Sequence, residues 1–180
     1  MNRRDFLRAT SVAALVPAIS RAALSSHPVP VIDTHTHFYD PTRPEGVPWP
    51  KPTEPFLYAP FMPDKFRAVT QPLNVVGTVV VEASPWVEDN QWLLDLAKAT
   101  PEIVGIVGNL NLREPAFAKD LKRFAANPLY RGLRVNIDTV RLNNEEPVSS
   151  HLSLMADTDL SLDVIGKGVV LPFTEQVARK

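Results

Sequence analysis

Short apolar runs rich in β-branched residues recur along this chain, each followed by a segment with a helical stripe, and this alternation constrains the fold most. Val75-Val76-Gly77-Thr78-Val79-Val80-Val81 reads as a strand buried on both faces, and Ile103 to Leu110, Gly132 to Ile137 and Leu160 to Ile165 read as further strands. A shorter run, Val29, Val31 and Ile32, precedes them. Between the runs lie a helix from Asp64 to Thr70, a second capped by Asp89 or Asn90 with Trp92, Leu93, Leu96 and Ala97 in a stripe stopped by Pro101, and a third opened by Pro115 with Phe117, Leu121 and Phe124 on one face. Ser150 to Ala156 and Pro172 to Lys180 read as two more. Strand-helix units of this size imply a parallel α/β sheet with right-handed crossovers, either closed into a barrel or open and doubly wound. A doubly wound sheet announces itself by a glycine-rich loop after the first strand; here that position holds His35-Thr36-His37, which favours the barrel.

Those two histidines are the chemical signal. Side chains alternate along a strand, so His35 and His37 project from one face about 6.6 Å apart and can pinch one divalent cation. Two imidazoles make half a site, since a usable centre needs another protein ligand and a position for water. Asp33 shares their face by period-2 spacing and is placed to orient one of the rings. Their place at the C-terminal end of a strand is where α/β barrels build active sites. Glu82, Asn109, Arg134 and Asp163 stand at or near the corresponding ends of later strands and are the candidate substrate-binding residues. Arg134 reads either as a bidentate clamp for a carboxylate or as an ion-pair partner of Glu82 or Asp163. Two further histidines, His27 and His151, read as surface residues.

Residues 41 to 63 contain Pro41, Pro44, Pro48, Pro50, Pro52, Pro55, Pro60 and Pro63 interleaved with Trp49, Phe56, Tyr58 and Phe61. Proline removes backbone donors and fixes φ, so this is an extended loop, serving either as an aromatic lid over a pocket or as a rigid connection. Arg3-Arg4-Asp5-Phe6-Leu7-Arg8, followed by a charge-free stretch from Ala9 to Ser20, has the layout of a twin-arginine export signal over residues 1–26, too short to span a bilayer. The mature domain is then 27–180, and the expected location is the periplasm. The chain has no cysteine and hence neither disulfides nor a thiolate metal cluster. A formal net charge of −1, with no basic stripe or acidic tail, excludes a nucleic-acid partner and an anionic membrane surface; the expected partner is a small molecule, with assembly into a homo-oligomer left open.

Taken together, Val31-Ile32-Asp33-Thr34-His35-Thr36-His37, Val79 to Ser84 with Asp89 to Leu94, Ile103 to Leu110, and Tyr130-Arg131-Gly132-Leu133-Arg134 resemble the amidohydrolase-2 (amidohydrolase-related) family of the metal-dependent hydrolases, in the branch that holds sugar lactonases. The resemblance spans about residues 29–166 and implies a (β/α)8 barrel in which His35 and His37 hold a divalent metal, zinc before others, that activates water against a lactone or related cyclic ester. Some members of the branch work without a metal. The further ligands and the catalytic base, which the family draws from later strands, have no match here, so the catalytic residues stay unassigned. A complete barrel takes about 250 residues; the expectation is a partial barrel of about the first five β/α units, from a truncated gene product before one completed by another copy or one folded as a smaller sheet. A non-catalytic periplasmic binding protein and an inactive fragment are the competing readings.

Overall fold

The computed structural model describes residues 29–168 and 170–179. The export signal and His27 lie outside the described residues. Five strands form one sheet in the order β1-β2-β3-β4-β5: β1 Val31–Thr36, β2 Val75–Val81, β3 Ile103–Gly108, β4 Tyr130–Asn136 and β5 Ser161–Ile165. All four pairings are parallel, and each strand lies beside the one before it in sequence. A doubly wound sheet reverses its strand order once; this one never does, and it curls into a half-barrel.

Helices α1 Pro63–Thr70, α2 Val87–Lys98, α3 Phe117–Ala125, α4 Ile137–Val140, α5 Val148–Ala156 and α6 Leu171–Ala178 make the connections. Phe117, Leu121 and Phe124 of α3 are each buried to 2% exposure or less, as their spacing predicts. They pack with Leu93, Leu94 and Ala97 of α2 against Val80, Ile106, Leu133 and Val135 of the sheet. This is the hydrophobic core, and it lies on the outer, helix-bearing side.

Strand alternation fixes the other face. Val80 and Ile106 are register partners turned toward the helices, so Val81 and Val107, the next pair, line the inner face. Arg134 lies between the core residues Leu133 and Val135 and therefore also turns inward, with Asp163 opposite it in register. Thr36 shares a 2.7 Å hydroxyl contact with buried Thr78 on the outer side, which leaves His35 and His37 to the inner face.

Several boundaries depart from the sequence reading for identifiable reasons. Neither Asp89 nor Asn90 caps α2, which begins at Val87 with Trp86 at the cap position. Asp89 instead accepts from the Arg43 guanidinium at 2.8 Å, and Asn90 is buried. Helix α3 starts two residues after Pro115, at Phe117. Strand β4 ends at Asn136, whose side chain accepts from the Asp138 N–H and so starts α4, a turn no hydrophobic period announced. His151 is half-buried, donating from Nδ1 to the Leu112 carbonyl at 2.8 Å and stacking on Phe117 at 4.7 Å, so it is a packing residue and not a surface one.

Candidate functional site

His35 and His37 leave the end of β1 with ring centroids 5.2 Å apart, close enough to address one ligand. His37 is tied from the next strand: its Nδ1 donates to the Val81 carbonyl at 2.9 Å. A carbonyl only accepts, so the ring proton is on Nδ1 and Nε2 carries the lone pair. Burial pushes the His37 imidazole below its ordinary value, the hydrogen bond to Val81 opposes this, and the nearby Arg134 and His35 push the same way as burial.

His35 is held from much farther along the chain. Arg134 of β4 places Nη2 2.8 Å from His35 Nε2, across 99 residues of sequence. A guanidinium has only donors, so His35 Nε2 accepts, and the ring is the neutral tautomer protonated on Nδ1. Arg134 is 8% exposed, and among the described residues it belongs to no ion pair with a carboxylate. The ion-pair reading of Arg134 with Glu82 or Asp163 is therefore not met. Asp163 faces the same side in register but forms no salt bridge, and Glu82 acts on Arg134 only through space. Glu82 follows β2 and is half-buried; burial raises its carboxyl above the ordinary value, while Arg134 and the backbone N–H of Ser84 oppose the rise.

The second-partner role expected of Asp33 falls elsewhere: its carboxylate accepts from the backbone N–H of His35 at 3.1 Å, which shapes the strand end and not the imidazole. Asn109, just beyond β3, donates from Nδ2 to the Arg134 carbonyl at 3.2 Å and is itself fixed by Asn90, which donates to its carbonyl and accepts from its N–H. Asn109 thus positions the backbone of Arg134. Beside them lies an open cleft of about 310 Å³ whose wall includes Pro85, Asn109, Arg113, Arg134 and Asn136. Its lining contains two guanidinium groups and no carboxylate.

The proline-rich segment folds back at its base, where Tyr39 and Phe61 exchange backbone hydrogen bonds of 3.1 and 2.9 Å. Trp49 then packs edge-on against Tyr39 at 5.4 Å and His37 at 6.1 Å, while Phe56 points away at 93% exposure. Arg43 pins the loop to α2, bonding Asp89 and lying 4.5 Å over Trp92. Of the two readings of this loop, the aromatic cover on one flank of the histidines is the one the contacts support.

The donor set can be tested against a metal. His37 fits, with its far nitrogen fixed by a carbonyl in the manner of a metal-bound imidazole. His35 does not, because the lone pair it would offer already meets Arg134. Among the described residues no group of three His, Cys, Asp or Glu side chains converges that could hold an ion. Of the two β1 histidines, His37 alone presents a free imidazole lone pair in this arrangement. Nor is any described helix long and apolar enough to cross a membrane.

Comparison with known proteins follows the same lines. The sequence model of Amidohydro_2, described as amidohydrolase, matches residues 32–180. An L-fucono-1,5-lactonase from Burkholderia ambifaria is 29% identical over 152 residues, covering 83% of this chain and 52% of that protein. A crystal structure of an amidohydrolase from Burkholderia multivorans with bound zinc superposes with a TM-score of 0.70 at 22% identity, over 83% of this chain and 54% of that one. A probable 2-pyrone-4,6-dicarboxylic acid hydrolase from Acinetobacter baumannii, with citric acid bound, gives 0.56 at 16% identity, over 74% and 48%. The chain spans about half the length of the relatives it matches.

Proposed function

Because the chain belongs to the amidohydrolase family, we propose that it carries one half of a hydrolytic site for a lactone or related cyclic ester, opened by water. The carrying observation is the meeting of His35, paired with His37, and the buried Arg134 of β4 at the C-terminal mouth of the sheet. The likeness to a sugar lactonase supports the substrate class. So does the cleft, whose asparagine amides suit hydroxyl groups and whose guanidinium groups suit the carboxylate released on ring opening.

In this reading His37, with its proton anchored on Nδ1, accepts a proton from the attacking water at Nε2. Arg134 directs its remaining N–H donors at the carbonyl oxygen where negative charge develops. Asn109 holds the Arg134 backbone in place, and Trp49 shields the flank of His37. Glu82, which acts on Arg134 through space, and Asp163, the register partner of Arg134, are the remaining candidate substrate contacts. With a divalent metal bound, zinc first as the family and a zinc-bound structural neighbour suggest, His37 Nε2 would be its ligand instead of the base and the metal would activate the water; His35 as placed offers it no lone pair. The twin-arginine pattern over residues 1–26 supports the periplasm as the place of action.

The test is acid release from a panel of aldonolactones, followed with a pH indicator. Turnover by the wild type that falls at least about a hundredfold in kcat/KM in both His37→Ala and Arg134→Met is the expected result. Turnover unchanged by either substitution removes these residues from catalysis. Saturable calorimetric binding of a lactone without turnover establishes the competing reading, a binding protein.

A further inference from the structure

We propose that Arg134 and a divalent cation are mutually exclusive partners of His35, so that this half-site admits a metal only when the guanidinium withdraws. The inference rests on the assignment of His35 and His37 as the catalytic mouth, and it deepens that assignment by naming what controls its occupancy. One nitrogen is in question. His35 Nε2 lies 2.8 Å from Arg134 Nη2, and since the guanidinium has no acceptor, the contact consumes the lone pair that coordination would need. The other ring nitrogen, Nδ1, carries the proton in this tautomer and cannot coordinate without losing it.

Charge acts in the same direction. Arg134 is 8% exposed and has no carboxylate within ion-pair distance among the described residues, so its full positive charge is presented to the pocket. A dication brought onto His35 beside it meets a like charge that no salt bridge neutralises and that Glu82 offsets only through space. Glu82, half-buried, acts on Arg134 only through space, and Asp163, the register partner of Arg134 on β5, forms no salt bridge with it. The position of Arg134 is not slack either: β4 is an interior strand of the sheet, and Asn109 donates to the Arg134 carbonyl at 3.2 Å. The guanidinium therefore reaches the mouth from a fixed backbone, with His35 Nε2 as its hydrogen-bond partner. A ligand carboxylate or oxyanion that draws it toward the cleft releases His35 at the same moment.

The experiment is zinc binding to the full chain, measured by competition with a chromogenic chelator and independent of any enzymatic activity. Arg134→Met removes every donor while keeping an unbranched side chain, and it is expected to bind zinc at least about tenfold more tightly than the wild type, in the range that neighbours of metal ligands control. The gain should vanish in Arg134→Met combined with His35→Ala. Equal zinc affinity of wild type and Arg134→Met overturns the proposal, as does a gain that survives His35→Ala. A second readout needs no variant: in long-range ¹⁵N spectra of the wild type, His35 should show protonated Nδ1 and unprotonated Nε2, and a proton on Nε2 also overturns it. Loss of lactone hydrolysis with these results intact would strike only the assignment of the reaction.

Discussion

Glu82 shows how a single side chain at this mouth carries a stability cost that pH reveals. Its carboxyl is raised above the ordinary 4.5 because burial disfavours the charged form, with Arg134 offsetting only part of that effect. A group whose value is raised on folding supports the folded state while protonated, so its contribution is complete below about 4.5 and is lost as pH rises through the folded value. Glu82→Gln, which cannot ionise, should therefore gain on the wild type in thermal midpoint between pH 4 and pH 7; an unchanged gap across that interval would contradict the assignment. The residues that sequence pattern located well are those defined by position on a strand: His35, His37 and Arg134 do share one face of the sheet. What pattern did not reveal is pairing between distant residues. The contact of Arg134 with His35 spans 99 positions, and that of Arg43 with Asp89 spans 46, and nothing in local spacing distinguishes either from a solvated charge.

At the scale of elements, the junction of α2 with β3 is held by one buried amide. Asn90, 3% exposed, spends its whole amide there: Nδ2 donates to the carbonyls of Val87 and Asn109, and Oδ1 accepts from the Asn109 N–H and from the Tyr130 hydroxyl at 3.1 Å. Gly108 makes this possible. A Cβ at that position would run into Asn90 Oδ1 and the Tyr130 hydroxyl, so the last residue of β3 has room only for hydrogen. Gly108→Ala should cost about 1–3 kcal/mol in denaturant unfolding, the usual penalty of overpacking, and should disturb the backbone of Asn109 that positions Arg134. A loss below about 0.5 kcal/mol would mean that the junction yields. The helical period placed α3 and its buried face correctly because Phe117, Leu121 and Phe124 repeat at three and four residues. It misplaced the cap of α2, because Asn90 looks like a capping residue until its burial among three elements is seen.

Across the whole molecule, both edge strands of the sheet leave apolar side chains exposed. Val31 and Ile32 on β1 are 45% and 50% exposed and Ile165 on β5 is 48%, whereas Val80, Ile106 and Leu133 of the interior strands are at 0%. Unpaired strand margins of this kind are templates for association. Ile32→Lys should thus lower concentration-dependent self-association of the 180-residue chain in sedimentation velocity, and identical profiles for the two proteins would show that β1 takes no part. The parallel class and the barrel-type winding were readable, since β-branched runs of five to eight residues separated by helical stripes leave few alternatives and no glycine-rich loop follows β1. How far the sheet curls was not readable, because curvature depends on register shifts between neighbours, as at Thr78 and Val79 against β3, which no single strand encodes. The unbroken order β1 to β5 has one more consequence. Each strand finds its place against the strand that left the ribosome just before it, so the sheet can accrete in the direction of translation, one β/α unit at a time, without any early strand waiting for a late one.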